Sequence, residues 1–211
     1  MQTAKRGSSP TTLTDMAYSV ESGFDECYEG TSVLVNKLDI RDEATLAEVE
    51  SIVTTTKISM LLGERYEGDF TAAHYCDIHR FIFEDLYEWA GCVRKVELSK
   101  KSTHFHAPDG LERDLGLLFE YLNSQGCFMD DGREQFAEHL AEFYNDINLL
   151  HPFREGNGRA QRVLVTQIAQ RAGHVIDFSL VDKDRMMIAT IYAAQGVLDQ
   201  LKELFMWLFD K

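Results

Sequence analysis

Within the run LLHPFREGNGRAQRVL, from Leu149 to Leu164, His151 is the only side chain that can take up a proton near neutral pH. Glu155 is the only carboxylate, and beside it stand Gly156, Asn157, Gly158, Arg159 and Arg162, with a third arginine at Arg154. These residue types suit chemistry at a phosphate chain. A helix N-terminus leaves its first backbone N–H groups unpaired and carries partial positive charge, so it binds phosphate where no side chain obstructs the approach. Gly156 and Gly158 remove that obstruction, and Asn157 between them can hold an unusual backbone angle and offer amide donors, giving a compact anion nest. Arg159 and Arg162, on the first turn of the following helix, share a face and can both reach a phosphate chain, triphosphate being the natural fit. Glu155, set among cations, is either neutralised by a salt bridge or holds a divalent metal against phosphate oxygens; with phosphates in place, Mg²⁺ is favoured. His151 is then the candidate general base. A lone histidine beside a proline at a helix end is more often structural than catalytic, and it is the conjunction of His151, Glu155, the GNG triplet and two arginines that argues for chemistry.

Two helices must hold this loop. In EQFAEHLAEFYNDINLL, the residues Phe136, Leu140, Phe143, Ile147 and Leu150 fall at alternating steps of four and three, one apolar stripe on a helix that Pro152 cannot continue. After Gly158, RAQRVLVTQIAQRAG carries Val163, Leu164, Val165, Ile168 and Ala169 on a broad apolar face, with Gly173 as a C-cap. Phe153 reads as a core anchor for the loop and Arg154 as solvent-facing.

Upstream, TAAHYCDIHRFIFEDLYEWAG reads as a helix opened by Thr71 and closed at Gly91, with Ile78, Phe81, Ile82, Leu86 and Trp89 inward. The segment CVRKVELSKKSTHFHAPDG then alternates, Val93, Val96 and Leu98 being separated by charge, until Pro108 and Gly110 break it. It is the only convincing β-like stretch, so it reads as a hairpin or extended flap and not as part of a sheet. The segments around 44–62, 111–122 and 183–208 look helical, and the fold expected is mainly α.

A chain of 211 residues suits one domain with an appendage. The composition, 45% hydrophobic and 27% charged, is that of a globular protein and not of a disordered one. A net charge of −14 repels polyanions and argues against nucleic acid as a partner, so an anionic ligand must be met by a local cluster of donors. Cys27, Cys76, Cys92 and Cys127 form no CxxC pair, which points to reduced thiols and neither a zinc site nor a disulfide scaffold. No apolar run is long enough to cross a bilayer, and MQTAKRGSSPTTLTD carries no apolar segment after its basic residues, so no export signal of the Sec type is legible. That start, poor in large apolar residues, reads as a loose tail.

The string from His151 to Arg162, HPFREGNGRAQR, resembles the HxFx(D/E)GNGRxxR signature of the Fic domain family at every specified position. IHRFIFEDLYEWAGCVRKVEL is similar to the helix that precedes the family's flap, and YEGTSVLVNKLDI to the start of the domain in conjugation-system toxins and type IV secretion effectors. The resemblance implies an all-α Fic fold, a helical bundle around the motif loop with a short β-hairpin flap, spanning residues 28–211 behind an N-terminal extension of residues 1–27. It also implies transfer of AMP from ATP to a hydroxyl side chain (Ser, Thr or Tyr) of a target protein. In that assignment His151 deprotonates the hydroxyl and Glu155 holds Mg²⁺ on the α and β phosphates. Gly156, Asn157 and Gly158 form the anion hole, and Arg159 and Arg162 secure the β and γ phosphates. Ser102, Thr103, His104, Phe105 and His106 occupy the place of the flap that docks the target as an added strand. His104 and His106 can touch nucleotide or target, although exposed loop histidines are more often bystanders; Tyr192 or Gln195 could line the adenine.

Many family members are silenced by a helix bearing (S/T)xxxE(G/N), whose glutamate pairs with the second motif arginine, here Arg162. Of the Glu-Gly pairs in this chain, Glu29-Gly30 follows Asp25 by four, Glu67-Gly68 follows Gly63, and Glu155-Gly156 belongs to the motif itself; there is no Glu-Asn. Inhibition is therefore expected from a separate, small antitoxin-like protein. Other transfers by the same loop (UMP, phosphocholine or phosphate) and an idle nucleotide-binding interaction protein are the competing readings. The retained last glycine and arginine of GNGR favour nucleotidyl transfer over phosphate transfer. The bacterial cytosol is the expected location, with delivery into a host cell compatible.

Overall fold

The computed structural model describes residues 26–100 and 103–211, with only the backbone described for Lys100, Thr103 and His104. Seven helices occur among them: α1 Glu43–Leu62, α2 Ala72–Phe83, α3 Leu111–Ser124, α4 Arg133–Leu150, α5 Asn157–Arg171, α6 Lys183–Ala194 and α7 Asp199–Leu208. The single sheet among the described residues is a two-stranded antiparallel hairpin, β1 Ser99–Lys100 and β2 Thr103–His104. The all-α expectation with a short hairpin holds. Ser102, placed in the flap from sequence, lies outside the described residues, as do residues 1–25 of the expected extension.

Capping chemistry sets the helix starts. Asp42 opens α1 by accepting from the Thr45 backbone N–H at 2.9 Å, Thr71 opens α2 by accepting from His74, and Asp182 opens α6 by accepting from Asp184 and Arg185. Helix α2 stops at Phe83, short of Gly91, and the chain continues in turns to that glycine, whose φ is +79°. The segment 183–208 is two helices, because the chain turns at Gly196, φ +88°, where Val197 N–H reaches back to the Tyr192 carbonyl.

Helices α4 and α5 form the centre. Helix α4 packs against α3, α5, α6 and α7, and α5 against α1 and α2. The stripe Phe136, Leu140, Phe143, Ile147 and Leu150 is buried as its spacing requires, and α5 is buried from Val163 through Ala169 without a break. Gly173, φ +85°, ends α5 with His174 N–H bonded to the Ala169 carbonyl. The inward face of α2 is Tyr75, Ile78, His79, Ile82 and Phe83, followed by Leu86; Phe81 is half-buried instead, with the Lys57 ammonium 4.9 Å above its ring. The loop between α4 and α5 is thus carried on the two most buried helices and backed by α2.

Candidate functional site

Two left-handed residues shape the loop. His151, φ +47°, closes α4, and Gly156, φ +79°, opens α5. Phe153 between them is fully buried, stacked on His79 at 3.8 Å and tilted against Tyr75 at 5.0 Å. Truncating such a phenylalanine generally costs about 3–5 kcal/mol, which makes it the anchor the sequence suggested. Asn157 is 2% exposed, and its amide is spent internally: Oδ1 accepts from the Phe153 N–H at 2.8 Å and Nδ2 donates to the Phe153 carbonyl at 2.7 Å. The expectation that Asn157 takes the unusual angle and offers amide donors is corrected here. Gly156 takes the angle, and the Asn157 side chain staples the loop. What remains for an anion is the backbone at the start of α5, where the N–H groups of Asn157 and Gly158 have no helical carbonyl behind them.

His151 is buried, 5% exposed, and its ring lies parallel to that of Phe105 at 3.8 Å, so the flap covers the candidate base. Its Nδ1 is 3.2 Å from the Asn148 carbonyl. A carbonyl only accepts, so Nδ1 carries the proton, and in the neutral ring the lone pair is on Nε2, the atom through which a general base would act.

The arginines do not converge as expected. Arg159 turns toward α1, donating to Glu50 at 2.7 Å and to Glu155 at 3.3 Å, with its guanidinium 4.6 Å over the Phe83 ring. Glu50 also accepts from the Tyr87 hydroxyl, which burial and this carboxylate hold well above the ordinary phenol range. Arg162 folds back over Gly158: a β-carbon there would stand 3.1 Å from its Nη1. It also meets the Tyr144 hydroxyl, whose pKa is pushed up to about 12, chiefly by burial. The structure therefore brings Glu155 and Arg159 together, keeps Arg162 on a different course, and adds Glu50 and Tyr87, which sequence reasoning missed. Glu50 sits on a helix with no distinctive pattern, and nothing local marked it.

His79 was also missed, although Tyr75, His79 and Phe83 recur at four-residue spacing on one face of α2. Its Nε2 is 2.9 Å from the Glu155 carbonyl, and its Nδ1 accepts from the Gly91 N–H at 2.9 Å. A carbonyl only accepts, so Nε2 carries the ring proton, and acceptance by Nδ1 from Gly91 requires the neutral ring; burial lowers its pKa to about 3. Above the ordinary value of 6.5 both folded and unfolded chains are neutral and stability is full. As pH falls from 6.5 toward 3, only the unfolded chain takes the proton, and stability is lost. At pH 5 the loss from this residue is about 2 kcal/mol, from ~1.4 kcal/mol per pH unit. Urea midpoints at pH 7.5 and pH 5 are expected to differ less in His79→Gln than in the parent; an equal difference would remove His79 as the acid-labile group.

At the flap, His106 is exposed, its N–H bonded to the Leu149 carbonyl at 3.0 Å. Arg94, read from sequence as one of the charges separating Val93 from Val96, is 5% exposed and donates only to carbonyls in the contacts described below. Arg154 is corrected too: it does not face solvent but is 7% exposed and donates to Glu26 at 2.5 Å. Tyr192 and Gln195 are both exposed at the end of α6, which packs on α4 and α7.

Among the described residues no group of three or more His, Cys, Asp or Glu could hold a metal. Glu155 alone, its Oε1 accepting from the Gly156 N–H at 2.7 Å, fits an ion of the Mg²⁺ kind, which takes one or two carboxylates and completes its shell with phosphates and water.

A family model described as Fic/DOC family matches residues 69–169. The chain is 36% identical over 176 residues to a probable protein adenylyltransferase of Sinorhizobium fredii, covering 83% of this chain and 90% of that one. It is 32% identical over 179 residues to a probable protein adenylyltransferase Fic of Salmonella typhimurium, 84% and 88% being covered. Among solved structures it resembles the BepC protein of Bartonella tribocorum with bound AMPPNP, at TM-score 0.80 and 30% identity over 87% of this chain and 95% of that one. An N-terminal Fic domain from Bartonella quintana with bound ADP gives TM-score 0.81 at 30% identity, 87% and 93% being covered. The motif from His151 to Arg162, the loop built on it, and these likenesses together establish that the chain belongs to the Fic/DOC family.

Proposed function

We propose that the chain is a protein adenylyltransferase that moves AMP from ATP to a serine, threonine or tyrosine hydroxyl of a target protein. The observation that carries this reading is the His151 ring, anchored through Nδ1 to the Asn148 carbonyl so that Nε2 holds the lone pair, on the loop that opens α5. Nε2 takes the proton of the target hydroxyl as its oxygen bonds to the α-phosphorus; the bond to the β-phosphate oxygen breaks and pyrophosphate leaves. The N–H groups at the start of α5 face the phosphates, and Arg162 and Arg159 neutralise the leaving group once Arg159 exchanges its carboxylates for phosphate oxygens. Glu155 would hold Mg²⁺, which would supply charge neutralisation for the phosphates. Among the described residues β2 pairs only with β1, and its other edge is where a target segment would add.

A separate protein carrying an (S/T)xxxE(G/N) helix is the proposed restraint, and residues 28–211 the proposed domain. The bacterial cytosol is the proposed site of action. No helix among the described residues is long and apolar enough to cross a membrane.

The test is incubation of the purified chain with Mg²⁺, a bacterial lysate and ATP labelled at the α or the γ phosphate. Label on protein from the α but not the γ position is the expected result. Label from γ alone means kinase chemistry, and label from neither overturns AMP transfer under these conditions in favour of another donor or a binding role.

A further inference from the structure

The guanidinium of Arg94 lies between the catalytic loop and both legs of the flap. Its Nε donates to the His151 carbonyl at 2.8 Å, Nη1 to the Val96 carbonyl at 2.6 Å, and Nη2 to the His106 carbonyl at 2.5 Å and the Leu150 carbonyl at 3.3 Å. Its own backbone N–H donates to the Pro152 carbonyl at 2.8 Å. Leu150, His151 and Pro152 are consecutive residues at the end of α4, where unpaired carbonyls and the negative end of the helix dipole favour a cation. Val96 lies before β1 and His106 after β2, so the same side chain holds the entry and the exit of the hairpin. Burial lowers the pKa of Arg94 from its ordinary value, with Glu97 opposing at longer range. A buried arginine bonded to four carbonyls serves few purposes at a surface; here its acceptors are the backbone that carries the base and the segments that lead into and out of the hairpin.

Resting on the adenylyltransferase reading, we propose that Arg94 is a positioning residue. It fixes the left-handed backbone on which His151 turns and locks the flap to it, so that the base and a flap-docked hydroxyl share one frame. The geometry of a planar fork with five donors is what the role uses, and lysine, a point donor, does not reproduce it.

The experiment compares the parent chain with Arg94→Lys and Arg94→Ala. Nucleotide affinity is read with a non-hydrolysable ATP analogue, turnover with α-labelled ATP and target, and the tautomer of His151 by ¹⁵N NMR of histidine-labelled protein. Expected are an unchanged analogue affinity, since Arg94 touches neither the start of α5 nor Arg159 and Arg162, and a turnover lowered on the order of 10²-fold, the usual cost of misplacing a catalytic group by about an ångström. The target KM rises as well, and methylguanidinium restores part of the turnover in Arg94→Ala but not in Arg94→Lys. A parallel loss of analogue affinity and turnover, or full turnover in Arg94→Lys, overturns the proposal. If the parent itself transfers no label, the adenylyltransferase reading has failed. The proposal is then decided by NMR alone: loss of the Nδ1-protonated form in the variants upholds the positioning role, and its persistence ends it. Should neither variant fold, Arg94→Gln, a planar amide donor too short to bridge the carbonyls of residues 96, 106, 150 and 151 together, is expected to lower turnover with analogue affinity intact; full turnover there overturns the proposal.

Discussion

His151→Asn is expected to lower transfer of AMP by about 10²–10⁴-fold while leaving the affinity for a non-hydrolysable ATP analogue within a few-fold of the parent. Asparagine is the sharper substitution than alanine for a physical reason. Position 151 has φ +47°, which asparagine tolerates far better than most residues, and its amide can still donate to the Asn148 carbonyl as Nδ1 does. The loop keeps its left-handed turn and its Asn148 contact, and what goes is the stack on Phe105 and the group that can accept a proton near neutral pH. His151→Ala removes the base and the stack as well, but also the carbonyl contact, so its loss combines chemistry with geometry. Single-turnover rates with α-labelled ATP decide the matter. If His151→Asn keeps more than a tenth of the parental rate with analogue binding intact, the proton is accepted elsewhere and the role assigned to His151 fails.

Gly156→Ala is expected to damage both stability and activity. Two costs add. At φ +79° a residue with a β-carbon costs about 1–2 kcal/mol over glycine. The new carbon would also stand 2.2 Å from Cζ and 2.3 Å from Cε2 of Phe83, a ring that is fully buried. Overpacking of that kind costs about 1–3 kcal/mol. Because Phe83 also supports the Arg159 guanidinium and packs against His79, relief by moving the ring would displace the partners of Glu155. Urea midpoints read the stability loss and α-label transfer the activity. In a Phe83→Leu background the same glycine substitution is expected to cost less stability, because the clash is relieved and the backbone strain is not. Equal costs in both backgrounds would mean that the ring contact is not what demands glycine.

Much of this arrangement was legible in the sequence because short-range signals carried it. The four-and-three spacing from Phe136 to Leu150 marked α4, Pro152 its end, Gly173 the end of α5, and the HPFREGNGRAQR string the loop and its family. What was not legible depends on contacts between segments distant in the chain. Nothing near Arg94 distinguishes a charge that solvates a strand from one swallowed by the carbonyls of residues 96, 106, 150 and 151. Arg154 looked like an ordinary exposed loop cation because its partner, Glu26, is 128 residues away. Arg159 looked aimed at an anion because helical spacing gives the face of a side chain, not the competitor already on it; Glu50 comes from another helix. The length of α2 was overread because the apolar pattern continues past Phe83, and its inward face was set one residue off because His79, a polar residue, was not counted as core.

The ion pair between Arg154 and Glu26 bears on where this protein can be cut. Tyr28, where the likeness to the family begins, invites removal of everything before it. Arg154 lies beside the metal-ligand candidate Glu155 with its side chain 9% exposed, and its carboxylate partner would leave with the severed piece. A fragment starting at residue 28 would keep every motif residue yet strand a cation inside the catalytic loop, at a cost of about 1–3 kcal/mol. One starting at residue 26 or earlier would not. Proteolytic nicking just after Glu26 is accordingly expected to loosen the loop from outside the motif, seen as faster amide exchange at residues 153–156 in the nicked chain.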